Sequence, residues 1–123
     1  MRGKYDSLAI AVSGGVDSMA LTWLAKAWQL ESGCHLTALT VDHRLRSGSD
    51  REAHLVAEWM ADWGLPHQIL RWDGEKPVAG IQEAARHARY KLLTDWCRVN
   101  SADALLVAHT LEDQAETFLM RLL

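Results

Sequence analysis

The chain has little cysteine. Cys34 and Cys97 stand far apart among its 123 residues and form no C-x-x-C. That excludes a disulfide framework and a cysteine metal site, and it reads as reduced cytosolic thiols. No apolar run approaches the ~18 residues of a membrane span, so no membrane partner is expected. Behind Met1-Arg2-Gly3-Lys4-Tyr5-Asp6 there is no long apolar core, so no secretory signal is expected and the location reads as cytoplasmic. A basic excess is also missing: the net charge of −3 argues against this segment alone being a strong nucleic-acid binder. No internal repeat or low-complexity tract appears. What is present is 49% hydrophobic residues with mixed charges, the mark of a soluble globular chain long enough for one layered core. Tryptophan is plentiful, six in all; Trp23, Trp28, Trp59, Trp63 and Trp96 fall within helical patterns, where packing is their expected role.

Strand-like and helix-like stretches alternate. Leu8-Ala9-Ile10-Ala11-Val12 is a buried strand, and Ala20, Leu21, Leu24, Ala27 and Trp28 recur at helical spacing from Val16 to about Ser32, with Gly33 as the stop. Leu36 to Val41 reads as a second strand. Ser49 and Glu52 form a capping box opening a helix with Leu55, Val56, Trp59, Met60 and Trp63, ended by Gly64 and Pro66. His67 to Trp72 reads as a third strand, and Ile81, Ala84, Ala85, Ala88, Leu92 and Trp96 as the face of a third helix. Ala102 to Ala108 is a fourth strand, apolar enough for burial on both faces. Ala115, Phe118, Leu119 and Leu122 mark a fourth helix. The alternation implies an α/β fold, a doubly wound parallel sheet with helices on both faces, which binds ligands at the C-terminal strand ends. Three of the four strand ends carry polar clusters: 13–18, 42–46 and 109–116.

Each cluster has a plain reading and a chemical one. Ser13-Gly14-Gly15-Val16-Asp17-Ser18 is either a tight strand-to-helix turn with a capping serine or a loop aiming backbone N–H groups at a phosphate. Adjacent glycines would let the backbone approach the ligand, and Ser13 and Ser18 would add hydroxyls. Asp17 beside phosphates implies a metal cation between them, or a helix N-terminus absorbing its charge. The loop is not a Walker A motif, since the Lys-Ser/Thr pair is missing. Thr40-Val41-Asp42-His43 either begins a solvated loop or faces the nucleoside half of a nucleotide. Arg44 and Arg46 could meet phosphate, RNA or water. Gln82, Arg86 and Arg89 share one face of the third helix, as a solvated basic stripe or, through Arg86, a phosphate clamp. Glu112, Asp113 and Glu116 either complement a helix dipole or, with Asp113 and Glu116 at i, i+3, hold Mg²⁺ or receive a cationic amine.

The hexapeptide at 13–18 resembles the S-G-G-x-D-S pyrophosphate loop of the PP-loop ATP pyrophosphatases. Within that group the chain is similar to the N-terminal domain of the tRNA(Ile)-lysidine synthases. Four blocks carry the resemblance: 13–18; Val41-Asp42-His43-Arg44-Leu45-Arg46 with Ser49 and Glu52-Ala53; Ile81-Gln82-Glu83-Ala84-Ala85-Arg86 with Ala88-Arg89-Tyr90; and Ala108-His109 with Asp113-Gln114-Ala115-Glu116-Thr117. The family usually reads His-His-x-Asp-Asp in the last block, where this chain has Thr110 for the second His and Glu112 for the first Asp.

The resemblance implies a Rossmann-like, three-layer α/β/α PP-loop nucleotide-binding domain over residues 1–123. It implies a ligase that uses ATP and Mg²⁺ to join free lysine to C2 of the wobble cytidine of isoleucine tRNA (CAU anticodon). In that reaction ATP adenylates the cytidine O2 and the lysine ε-amine displaces AMP. Ser13, Gly14, Gly15, Val16, Asp17 and Ser18 would hold the phosphates, and Thr40, Val41, Asp42 and His43 would border adenosine. Asp17, Arg86, Asp113 and Glu116 would be catalytic: Arg86 on phosphate charge, Asp113 and Glu116 on Mg²⁺ or the lysine ammonium, with Asp17 and Asp113 as the metal residues. Met120-Arg121-Leu122-Leu123 stops mid-pattern, which reads as a truncation before the family's C-terminal tRNA-binding domains. The fragment is then expected to bind nucleotide with little lysidine formation, the full-length protein being open to homodimerisation. The rivals are a tRNA thiolation enzyme of the same fold, against which the unpaired cysteines count, and a non-catalytic nucleotide-binding module of the stress-protein kind.

Overall fold

The unbroken apolar run at residues 8–12 lies in the middle of a sheet, where both faces are covered. In the computed structural model, residues 6–13, 16–45, 47–111 and 114–121 are described, with side chains described through Val107 except those of Val16 and Asp17. The order is β1 (Ser7–Ala11), α1 (Val16–Ser32), β2 (His35–Asp42), α2 (Ser49–Asp62), β3 (His67–Arg71), α3 (Ile81–Val99), β4 (Ala104–Leu111) and β5 (Gln114–Arg121). The sheet runs β3-β2-β1-β4-β5. Its first four strands are mutually parallel, as the strand–helix alternation implies.

Alternation along the strands sorts side chains between two layers. Leu8 and Ile10 of β1 and Val12 just after it, with Leu36 and Ala38 of β2 and Ala104 of β4, pack on one face with Ala25, Val56 and Met60 of α1 and α2. Ala9 and Ala11, with Leu39, Leu105 and Val107, pack on the other against Leu93 and Cys97 of α3. The tryptophans behave as packing groups: Trp28, Trp59 and Trp63 lie against the first cluster and Trp96 against the second. Trp23 is 56% exposed but meets Trp63 edge-on, ring centroids 5.2 Å apart. On α3 the buried stripe is Ala85, Leu93 and Cys97: Ala85 belongs to the expected face, whereas Leu93 and Cys97 lie one position round from the expected Leu92 and Trp96.

Three local expectations change. The capping box does not form. Gly48 is the N-cap of α2 in the left-handed region (φ 94°), its carbonyl accepts the Glu52 N–H at 3.0 Å, and Ser49 is already helical. A glycine reaches that backbone conformation without a Cβ penalty, so the helix starts one residue earlier than a cap at Ser49 would place it. Second, β4 begins at Ala104 and continues through His109 and Thr110, which sit within the strand and not beyond its end.

Third, the segment expected to be a fourth helix is β5, antiparallel to β4 over the register Ala104↔Arg121 to Leu111↔Gln114. Its apolar residues have helical spacing. Without a neighbour, however, β4 would close the sheet with a row of unpaired N–H and C=O groups, and pairing with 114–121 satisfies that edge. Glu116 therefore lies opposite His109 in the sheet, on a strand and not on a helix. Among the described residues no helix is long and apolar enough to cross a membrane.

Candidate functional site

The parallel strands end on one edge, and helices α1, α2 and α3 all begin there. Two cavities open at that edge, one on each face of the sheet. The cavity on the α3 side holds about 580 Å³ and lies between Ala11, Leu39 and Val41 of the sheet and Ala85, Arg86, Arg89 and Tyr90 of α3. Its room comes from small side chains: Ala11 on β1 faces Ala85 on α3. The cavity on the α2 side holds about 550 Å³ and is walled by Thr40 and Asp42 of β2 with Ser49, Glu52, Ala53 and Val56 of α2. The two meet at Ser13, Val41, His43 and Gln82, which line both.

The charge differs sharply between them. Arg86 and Arg89, three positions apart on α3, both face the α3-side cavity. Arg86 is exposed and lies over the Tyr90 ring, 5.9 Å from its centroid. Arg89 is half-buried. Its guanidinium pKa is drawn down by burial first and by Arg86 after it, with Tyr90 opposing. His43, also half-buried, is held below its ordinary value of 6.5 by burial first and then by Arg89, against the pull of Asp42. It is therefore a neutral imidazole at pH 7. Two guanidiniums so close repel each other, and an anion between them relieves that repulsion.

The α2-side cavity has acceptors instead. Asp42 is 3% exposed; its Oδ1 accepts the Arg44 N–H at 3.0 Å and its Oδ2 has no hydrogen-bond partner among the described residues. Thr40 is buried, with its Oγ1 2.8 Å from His67 Nε2. Arg44 is turned outward to Asp73 (2.8 Å), so it belongs to neither cavity wall.

The loop between β1 and α1 is closed by a hydrogen bond from the Ser13 N–H to Ser18 Oγ at 2.9 Å. Ser18 is buried and lines neither cavity, whereas Ser13 lines both. The structure thus brings together Ser13, Thr40, Val41, Asp42, His43 and Arg86. Gly14, Gly15, Asp113 and the side chains of Val16, Asp17 and Glu116 lie outside what is described. Among the described residues no group of three or more His, Cys, Asp or Glu could hold a metal ion. Gln82 and Arg89 were visible in sequence as part of a basic stripe but had no individual role, and Tyr90 and His67 had none. Helical spacing from Arg86 could have pointed to Tyr90 at i+4. Nothing local points to His67.

The two cysteines are buried on opposite faces of the sheet, Cys34 in one cluster and Cys97 in the other. Burial pushes both thiols up, Cys97 to about 11, so neither is a ready thiolate.

The PP-loop domain family matches residues 3–123. The tRNA(Ile)-lysidine synthase of Bradyrhizobium diazoefficiens is 53% identical over 118 residues, covering 94% of this chain and 33% of that relative. Among solved structures, the U34-tRNA thiolase NcsA from Methanococcus maripaludis superposes with a TM-score of 0.75 at 17% identity, over 87% of this chain and 39% of that one. A universal stress protein from Archaeoglobus fulgidus gives 0.53 at 13%, over 83% and 32%. At such identities the likeness is one of fold alone. The chain spans about a third of the length of the curated relative it matches.

Proposed function

The chain belongs to the PP-loop domain family, and from that premise we propose that it is the ATP-binding, adenylating part of an enzyme that ligates lysine to the wobble cytidine of isoleucine tRNA in the cytoplasm. The observation that carries this is the pair of cavities meeting at Ser13, one walled by two arginines and the other by neutral and acidic oxygens. A nucleotide has the same division. Its phosphates suit the α3 side, beside the two arginines, and its nucleoside suits the α2 side, against Thr40 and Asp42.

In this reading Ser13, Gly14, Gly15, Val16 and Ser18 present the loop to the phosphates. Arg86 and Arg89 balance the charge that builds on pyrophosphate as the α–β bond breaks and the cytidine O2 is adenylated. His43, neutral beside Arg89, donates a hydrogen bond without adding a third positive charge. Asp113 and Glu116 receive the lysine ammonium, and the ε-amine must be neutral before it displaces AMP. Asp17 and Asp113 are the residues proposed to hold Mg²⁺, which when bound would neutralise phosphate charge. The buried Oδ2 of Asp42, without a hydrogen-bond partner among the described residues, is a further acceptor at this edge and fits a cation nearby. The rest of a protein of the relatives' length would supply the tRNA surface, and a homodimer of that protein fits the same reading.

The test is pyrophosphate release by a protein of the relatives' length. Release should depend on tRNA and lysine together and be lost in Asp113→Ala, while this 123-residue chain binds ATP and forms little lysidine by itself. Unchanged turnover in Asp113→Ala would favour a nucleotide-binding module. The thiolation reading draws no support from two inert thiols on opposite faces of the sheet.

A further inference from the structure

Thr40 and Asp42 are successive inward residues on the face of β2 that borders the α2-side cavity, and both are buried. A polar group at a cavity wall is useful to a ligand only if its hydrogen-bonding direction is set in advance. Each of these two is held by one hydrogen bond. Asp42 accepts the Arg44 N–H, and Arg44 adopts a left-handed backbone (φ 57°) that non-glycine residues seldom take. Thr40 is held by His67, the first residue of β3. Parallel pairing sets His67 opposite Ala38, so its ring reaches diagonally along the same face to Thr40. His67 lines neither cavity, and it therefore acts on a ligand there only through Thr40. Burial keeps its imidazole neutral at pH 7, with one donor and one acceptor nitrogen.

We propose that His67 is a positioning residue for the nucleoside half of the ligand, holding the Thr40 hydroxyl in one orientation at the cavity wall beside the unpaired carboxylate oxygen of Asp42. This rests on the nucleotide reading above. A hydroxyl tied in this way offers the base or sugar one directed hydrogen bond; released, it rotates and offers that bond only part of the time.

The experiment is calorimetric binding of ATP and of inorganic tripolyphosphate to the 123-residue chain, with thermal unfolding of every variant. His67→Leu should weaken ATP roughly fivefold, the worth of one hydrogen bond, and leave tripolyphosphate unchanged. His67→Gln, whose amide can occupy the place of Nε2, should restore most of the loss. In a Thr40→Val background, His67→Leu should have no further effect on ATP, because the route through the hydroxyl is already gone. The inference is overturned if His67→Leu leaves ATP affinity intact, weakens both ligands alike, or acts at full strength without the Thr40 hydroxyl. A wild-type chain that binds tripolyphosphate but gains nothing from the nucleoside overturns it together with the nucleotide reading.

Discussion

Strand β1 shows two different designs on its two faces. Toward α1 and α2 it presents Leu8 and Ile10, with Val12 just beyond its end, and two helices cover them. Toward α3 it presents only Ala9 and Ala11, with one helix above. The large side chains fill their layer, and the small ones leave the cavity between Ala11 and Ala85. A five-residue strand thus holds the molecule together on one side and makes room for a ligand on the other. Removing a butyl side chain from the first face and adding one to the second should therefore have different consequences.

The largest expected effect is Ile10→Ala, which removes a fully buried side chain and should cost about 2–5 kcal/mol in urea unfolding while the remaining folded molecules bind ATP normally. Its counterpart, Ala11→Leu, should cost less stability, about 1–3 kcal/mol, yet remove most ATP binding by filling the α3-side cavity. If Ala11→Leu binds ATP like the wild type, the cavity is not where the phosphates sit.

Next comes alkaline pH. The Cys97 thiol on the α3 face has its pKa raised from 9.0 to about 11 by burial. The neutral thiol is favoured in the folded state, so its contribution is complete below pH 9 and is lost as the pH rises through about 11. Stability should fall by about 2–3 kcal/mol across that window. Cys34, on the other face, is pushed in the same direction by burial first and then by Asp103 and Asp6. Unfolding of Cys97→Ala at pH 8 and pH 11 checks this, since the alkaline loss should shrink if Cys97 carries it.

The smallest effects should come from the arginines. Arg89→Ala should weaken ATP roughly tenfold, the worth of a hydrogen bond to a charged group. Exposed Arg86 is screened by solvent and should matter roughly threefold. Titration with ATP and with adenosine tells the two halves of the site apart: adenosine affinity should not respond to either arginine.

Most of the elements were legible in sequence, because each strand or helix here is coded by its own periodicity. The run at 8–12, the helical rows from Val16 and Ile81, and Gly33 and Gly64 as stops with left-handed backbones all needed only local rules. The site was legible in outline: residues at the ends of β1 and β2 and on one face of α3 were expected near a ligand, and Ser13, Thr40, Val41, Asp42, His43 and Arg86 are there. What misled was spacing with two meanings. Ala115, Phe118 and Leu119 fit a helix, and only the open edge of β4 makes the same residues a strand.

The two solved structures make the same point from the other direction. A thiolase and a stress protein share this fold at 17% and 13% identity, and both correspond to rival readings of the sequence. The fold alone does not choose between them. The relative that is 53% identical over 118 residues is named a tRNA(Ile)-lysidine synthase, which is neither of the two.

By itself the sequence determined the order of the elements from β1 to β4, the two-layer sorting of side chains and the blocks that mark the family. These follow from short-range spacing and from chemistry carried by single residues. The tertiary structure alone decided the strand order β3-β2-β1-β4-β5, the antiparallel fifth strand, the division into a cationic and an acceptor cavity, and the reach of His67 to Thr40. Apolar strands are nearly interchangeable as sequences. Which of them become neighbours depends on pairings between residues far apart in the chain, and those pairings exist only once the sheet has closed.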